Sequence, residues 1–169
     1  MRPIDEFSYV KNNKVLLDSD SLSQLYNPVI GKNAVLLYEY LLAFFDDGIK
    51  RHKFSEILNH LQLSMQEVEE ALAILTAVDL LVLYQTRDAY VLKLQPALNR
   101  ETFLANAIYR RLLEQRIGDV AVAELDVVLP DGARDVSKKF SDIFSVDETP
   151  KVPKIVSKNH FDLDSFERL

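Results

Sequence analysis

The chain has 169 residues, of which 48% are hydrophobic and 27% charged, and its net charge at pH 7 is −6. This composition is typical of one globular domain with an appendage. The acidic net charge disfavours a protein whose main function is to bind nucleic acid. The lack of cysteine excludes disulfides and Cys-based metal sites. No apolar run approaches the ~20 residues that a membrane span needs.

The first predicted element is a short strand. Phe7 and Tyr9 share one face of the stretch 7–10, as alternate side chains of a strand do. An unpaired strand at this position would offer a backbone edge to which another chain can add. We therefore expect Phe7 and Tyr9 to belong to a partner interface.

Two helices are predicted next. Asp18 or Ser19 caps a short helix that ends at Pro28. Gly31 then supplies a position that is free of Cβ constraints. A long helix follows over 32–46, and the width of its apolar stripe indicates burial on more than one side.

The densest basic cluster lies in a predicted loop, ahead of a third helix over 55–62. It includes Lys50, Arg51 and Lys53. A solvated loop is the simplest interpretation of such a cluster. The functional alternative is contact with phosphates or docking of an acidic partner.

The following stretch predicts the fold. Ser64 and Glu67 form a capping box at the start of a helix over 64–79. The period changes to that of strands over 80–95, with a tight connection at 86–88. Helices that lead into a further helix and a β-hairpin have the chain order of a winged helix. We predict a mainly α fold with a small β-hairpin, namely a winged-helix domain with an extra N-terminal strand and helix and with C-terminal helices.

The predicted helix over 64–79 carries four carboxylates and no Lys, Arg or His. A helix that reads DNA needs cationic or amide side chains toward bases and phosphates. DNA readout by this helix is therefore disfavoured, and its acidic face is either simply solvated or contacts protein. We place a partner interface on Glu67 and Glu70, together with Tyr84 and Tyr90 of the hairpin.

Helical periodicity returns after the hairpin. A helix capped by Asn99 or Thr102 is predicted to end at Gly118, with Ile108 and Leu112 among its apolar stripe. An adjacent pair of arginines on this helix is either ordinary surface or a contact for phosphates or for the acidic helix of another copy. With the basic loop, the candidate phosphate contacts are Lys50, Arg51, Lys53, Arg110 and Arg111.

The remaining pattern predicts three parts of the chain. Residues 1–118 form the winged-helix oligomerisation domain. Residues 119–144 form a C-terminal helical extension, in which 120–129 is weakly helical and 135–144 is a short helix. Residues 145–169 read as a linker and the start of a further segment, because two prolines precede a returning apolar period. We expect the chain to be an N-terminal piece of a longer protein or to carry a short docking segment.

The sequence offers no pattern for catalysis. Only four glycines are present, and none recur at the spacing of a phosphate loop. The histidines His52, His60 and His160 are scattered, with no ligands at metal-binding spacing. We therefore expect no catalytic residues, metal or cofactor, and a protein that is not an enzyme.

Two strings go beyond fold class. The first is Leu25-Tyr-Asn-Pro-Val-Ile-Gly31, which precedes the long helix. The second is Leu94-Gln-Pro-Ala-Leu98, followed by Tyr109-Arg-Arg111 and Ile117-Gly118. With the piece Lys139-Phe-Ser-Asp-Ile-Phe144, they resemble the N-terminal domain of the replication-initiation and membrane-attachment (DnaB) members of the DnaB/DnaD primosomal family of low-GC Gram-positive bacteria. These members are distinct from the replicative helicase.

The resemblance covers roughly residues 18–144. It implies a winged-helix domain that self-associates inside a helicase-loading primosome. Its structural motif shapes the corner between two helices and here comprises Leu25, Tyr26, Pro28, Ile30 and Gly31.

The resemblance also implies partners and a location. The partners are a second copy, primosomal proteins, and the replicative helicase or its loader. DNA is bound mainly through a C-terminal domain that is absent here, and the whole protein has a peripheral membrane association. The location is cytoplasmic, at the nucleoid or the membrane periphery. The leading hypothesis is thus a non-enzymatic primosomal assembly module, and the alternative is a winged-helix nucleic-acid-binding regulator that grips DNA through the basic loop and the arginine pair.

Overall fold

A computed structural model describes residues 1–11, 18–43, 50–126 and 128–145. The chain divides into two compact units, Met1–Val128 and Leu129–Leu169. The first unit contains the sheet and the hydrophobic core. The boundaries that we drew at residues 118 and 144 stay predictions.

One four-stranded sheet is formed within the described part of the first unit. Its strands are β1 (Glu6–Val10), β2 (His52–Lys53), β3 (Leu81–Gln85) and β4 (Tyr90–Leu94). Their order is β2-β1-β4-β3, with β1 antiparallel to β2 and parallel to β4. Strands β3 and β4 form the antiparallel hairpin expected from the sequence, which we call the wing. The prediction of a winged-helix fold is confirmed.

Strand β1 exists as predicted, but it does not lie at an edge. It pairs with β2 on one side and with β4 on the other. The prediction that residues 7–10 offer an unpaired strand edge is therefore wrong. Phe7 and Tyr9 point into the core, where 0% and 2% of their surfaces are exposed.

Part of the basic cluster is a strand rather than a loop, which corrects a second prediction. His52 pairs with Phe7, and the two rings stack with their centroids 5.5 Å apart. His52 is buried. A strand of two residues has no local sequence period, so its burial against β1 decides its conformation.

Five helices and one π-helical turn precede the wing in the described residues. They are α1 (Ser19–Ser21), the π-helical turn (Leu22–Tyr26), α2 (Asn27–Ile30), α3 (Lys32–Leu42), α4 (Phe54–Leu61) and α5 (Met65–Ala77). We expected Pro28 to end a helix. It instead lies in the first turn of α2, where a missing N–H is tolerated. The corner comes at Gly31, whose φ of +89° favours glycine. The predicted end of α3 at Asp46 lies outside the described residues.

The core lies between the helices and the inner face of the sheet. Helix α3 packs against α5, and the stripe predicted for α5 is buried at Val68, Leu72 and Leu75. The sheet contributes Phe7, Tyr9, Leu81, Leu92 and Leu94. Burial of these apolar side chains is the main source of stability, at roughly 1.5–3 kcal/mol for each large side chain.

The helix predicted over residues 99–118 is interrupted. It is divided into α6 (Arg100–Ala105) and α7 (Ala107–Ile117), and a short α8 (Asp119–Ala123) follows. Asn106 has an extended backbone, and its side-chain oxygen accepts from the N–H groups of Ile108 and Tyr109 at 3.0 Å. This capping arrangement begins a new helix. Asn99 caps α6, as one of the two predicted candidates.

The described part of the second unit, residues 129–145, is mostly irregular and exposed. Only α9 (Phe140–Ile143) is helical there, so the helix predicted over 135–144 is wrong at its start. The Asp135 carboxylate accepts from the Ser137 N–H at 2.8 Å, and this local bond competes with helix formation. Among the described residues, no helix has the length and apolar character to cross a membrane.

Candidate functional site

Helix α5 occupies the recognition position, directly ahead of the wing. The Ser64 N–H donates to the Glu67 carboxylate at 2.9 Å, and the Glu67 N–H donates to the Ser64 hydroxyl at 3.1 Å. This reciprocal pair is the capping box that the sequence predicted. The bond from the Ser64 N–H lowers the pKa of Glu67, so this carboxylate stays ionised and is engaged in the cap.

The outward face of α5 is acidic and nearly flat. Glu69 and Glu70 are exposed, and Ala73 and Ala77 follow them without any long side chain. Ile74 at the side of this face is 37% exposed. No Lys, Arg or His lies within α5. A phosphate backbone is repelled by such a face, whereas a cationic protein surface is attracted.

The wing turn is closed without glycine. The Thr86 N–H donates to the Ala89 carbonyl oxygen at 2.7 Å, while the Thr86 hydroxyl contacts the Ala89 backbone N–H and carbonyl oxygen at 3.1 and 3.0 Å. The backbone and the side chain of Thr86 together supply local bonds that hold the turn. Strand β3 lies at the edge of the sheet.

The predicted interface residues do not form one surface. Tyr84 is 47% exposed and pairs with Val91, so it lies on the outer face of the wing. Tyr90 lies on the inner face and meets Phe54 edge-on, with ring centroids 5.8 Å apart. Phe7 and Tyr9 are buried, and Tyr90 is half-buried. The exposed candidates are therefore Tyr84 and Glu70, while Glu67 is half-buried and engaged in the cap.

The basic cluster is partly neutralised. The Arg51 guanidinium lies 3.3 Å from carboxylate oxygens of both Glu6 and Asp88. The hydrogen bond from Arg51 lowers the pKa of Asp88. Arg51 therefore links β1 to the wing turn, while Lys50 and Lys53 are exposed.

Of the two adjacent arginines of α7, Arg110 is bound to carboxylates. The Arg110 guanidinium donates to both oxygens of Asp126, at 2.8 and 2.9 Å, and to Glu114 at 3.3 Å. These bonds raise the pKa of Arg110, which remains cationic and ties α7 to the segment after α8. Arg111, the next residue, is exposed.

The family model of the DnaB N-terminal winged helix domain matches residues 1–169. The chain belongs to this family. A solved structure of primosome protein DnaB (residues 1–300) from Geobacillus stearothermophilus has a similar fold, with a TM-score of 0.65 and 20% identity. The similarity covers 91% of this chain and 67% of that chain. The search of curated proteins gives no match.

The string that carried the family resemblance has a structural role. Leu25, Tyr26 and Ile30 are buried, and the Tyr26 hydroxyl accepts from the Leu98 N–H at 2.9 Å. The Tyr38 hydroxyl donates to the Gln95 carbonyl oxygen at 2.5 Å. Two tyrosines thus hold the segment that leaves the wing of this DnaB-family domain.

One exposed apolar surface, on α7, was not predicted from the sequence. Ile108 and Leu112 were placed on the buried stripe of their helix, but they are 70% and 36% exposed, while Leu113 is buried. The adjacent pair Leu112-Leu113 made the buried side ambiguous. A signal was present in Tyr109 and Leu113, which are four residues apart and face inward together.

Proposed function

We propose that this chain is a non-enzymatic assembly module of the primosome that acts in the initiation of chromosomal DNA replication. The observation that carries the proposal is the acidic outward face of α5, which occupies the position where a DNA-reading winged helix presents cations. Membership of the DnaB N-terminal domain family supports it, as does the fold shared with a protein named as a primosome component.

The proposed partners are a second copy of the chain, other primosomal proteins, and the replicative helicase or its loader. DNA binding belongs mainly to another part of the full-length protein, which works in the cytoplasm at the nucleoid or the membrane periphery. The wing supplies one accessible contact, because β3 lies at the sheet edge with Tyr84 on its outer face. Such an edge accepts a strand from another chain.

The alternative is a nucleic-acid-binding regulator. Arg51 and Arg110, two of its five candidate contacts, are bound to carboxylates. A phosphate would have to displace Glu6 and Asp88, or Asp126, to reach these guanidinium groups. The alternative therefore rests on Lys50, Lys53 and Arg111, which are exposed.

Two measurements on the purified chain separate the proposals. Sedimentation equilibrium should show reversible self-association at micromolar concentration. Fluorescence anisotropy with labelled single- and double-stranded DNA should show no binding at about 50 mM or about 200 mM salt. A chain that is monomeric at high micromolar concentration would exclude self-association. Binding at low salt that is lost at high salt, and lost in K50E/K53E, would favour the alternative.

A further inference from the structure

The outward face of α7 carries an exposed apolar stripe with cations. Ile108, Leu112 and Arg116 are four residues apart, so their side chains follow one another along the same side of the helix. Ile108 is 70% exposed, Leu112 is 36% exposed, and Arg116 is exposed at the end of the stripe. Arg111 lies beside the stripe and is also exposed.

This face is separate from the bonds that hold α7 in the domain. Leu113 and Tyr109 face the core, and Arg110 is bound to Asp126 and Glu114. The stripe can therefore take a partner without loss of these contacts. Two exposed aliphatic residues with two arginines beside them suit an acidic helix that has small residues next to its carboxylates.

The chain itself contains a helix of that description. On α5, Glu69, Ala73 and Ala77 are exposed at the same four-residue spacing, and Glu70 is exposed next to Glu69. The small alanine side chains let another helix approach closely. One step of four residues is about 6 Å along either helix, so the two stripes have equal spacing.

We propose that α7 of one copy packs antiparallel against α5 of a second copy. In this register Ile108 faces Ala77, Leu112 faces Ala73, and Arg116 faces Glu69 of the second copy. A parallel alignment of the same positions would lose the charge pair, because Glu69 would then face Ile108 and Arg116 would face Ala77. The inference rests on the proposed self-association and specifies its surfaces. The contact joins two different surfaces, so it can repeat from copy to copy.

The test reverses each charged face in the full chain. Variant E69K/E70K makes α5 basic, and variant R111E/R116E makes the α7 stripe acidic. Each variant alone then brings like charges together, and sedimentation velocity should show self-association weakened at least tenfold. Mixing the two variants restores opposite charges at both contacts between them, so the 1:1 mixture should associate as the wild type does.

The control is R134E/K138E, which changes the net charge as R111E/R116E does, at exposed positions in the second unit. It should associate as the wild type does, and circular dichroism should confirm that all variants are folded. Unchanged association of both reversed variants would overturn the α5–α7 contact while self-association stands. Weak association of the mixture would also overturn it. A monomeric wild type would overturn both this contact and the proposed self-association.

Discussion

The Tyr26 hydroxyl accepts a hydrogen bond at 2.9 Å from the Leu98 backbone N–H, which lies 72 residues further along the chain. Tyr26 ends the π-helical turn, and Leu98 lies between the wing and α6. The Tyr26 ring also meets Phe103 of α6 edge-on, with centroids 5.0 Å apart. One side chain thus joins the helices before the wing to those after it.

We expect Tyr26→Phe to lower the free energy of unfolding by about 1–3 kcal/mol, because the partly buried Leu98 N–H loses its acceptor. Urea unfolding followed by circular dichroism measures this change. Tyr84→Phe removes an exposed hydroxyl and is the matched control, with an expected change within about 0.5 kcal/mol. Equal stability of Y26F and the wild type would mean that water replaces the bond.

The same tyrosine predicts a pH dependence. Burial raises the pKa of Tyr26 to about 12, above the value of about 10 that a tyrosine has in an unfolded chain. The contribution of the neutral hydroxyl to stability is therefore complete below pH 10 and is lost as the pH rises through about 12. Between these values the wild type should lose more stability than Tyr26→Phe does. If the stability of the wild type and that of Tyr26→Phe fall in parallel over this pH range, Tyr26 is not a source of the loss of stability.

The cap of α5 is a local device whose strength can be measured. Ser64→Ala removes the hydroxyl that accepts from the Glu67 N–H, and it should lower the free energy of unfolding by about 1 kcal/mol. Ser64→Asp keeps an acceptor at the cap and should restore most of the loss. If S64A leaves the unfolding midpoint in urea unchanged, the capping box contributes nothing to stability.

Arg51 is expected to hold the wing turn rather than to contact phosphates. Arg51→Ala breaks its bonds to Glu6 and Asp88, so amide hydrogen exchange should become faster in the turn over residues 86–89. Lys53→Ala is the matched control, since Lys53 is an exposed cation in the same segment. Equal exchange rates in both variants would show that Arg51 does not restrain the turn.

The sequence predicted the elements whose signals are local. Each of these signals depends on a few neighbouring residues, and each predicted feature is present: the capping box at Ser64, the cap at Asn99 and the hairpin. These signals also sufficed to predict the fold class, because the order of the helices and the hairpin along the chain follows from them. The acidic face of α5 was likewise visible as composition.

Contacts between distant parts of the chain were not predictable in this way. The parallel pairing of β1 with β4 joins residues such as Tyr9 and Leu92, and nothing local to either strand encodes it. Apart from Glu114, one turn along the helix from Arg110, the partners of Arg51 and Arg110 lie 16 to 45 residues away, so the sequence did not show these contacts. A charge pattern reports which surface is charged, but not which charge is already paired.

The burial of Phe7 predicts a variant phenotype opposite to that of an interface residue. Phe7 is fully buried on central strand β1, where its ring lies 4.9 Å from that of Phe54. Phe7→Ala should therefore lower the free energy of unfolding by about 3–5 kcal/mol, through lost apolar contact and the cavity left behind. Thermal unfolding should show the same loss at low and high protein concentration, because the contact is within one chain. Val10→Ala changes an exposed position on the same strand and should have a small effect. If Phe7→Ala loses stability only at concentrations where the wild type self-associates, Phe7 instead belongs to an interface between copies.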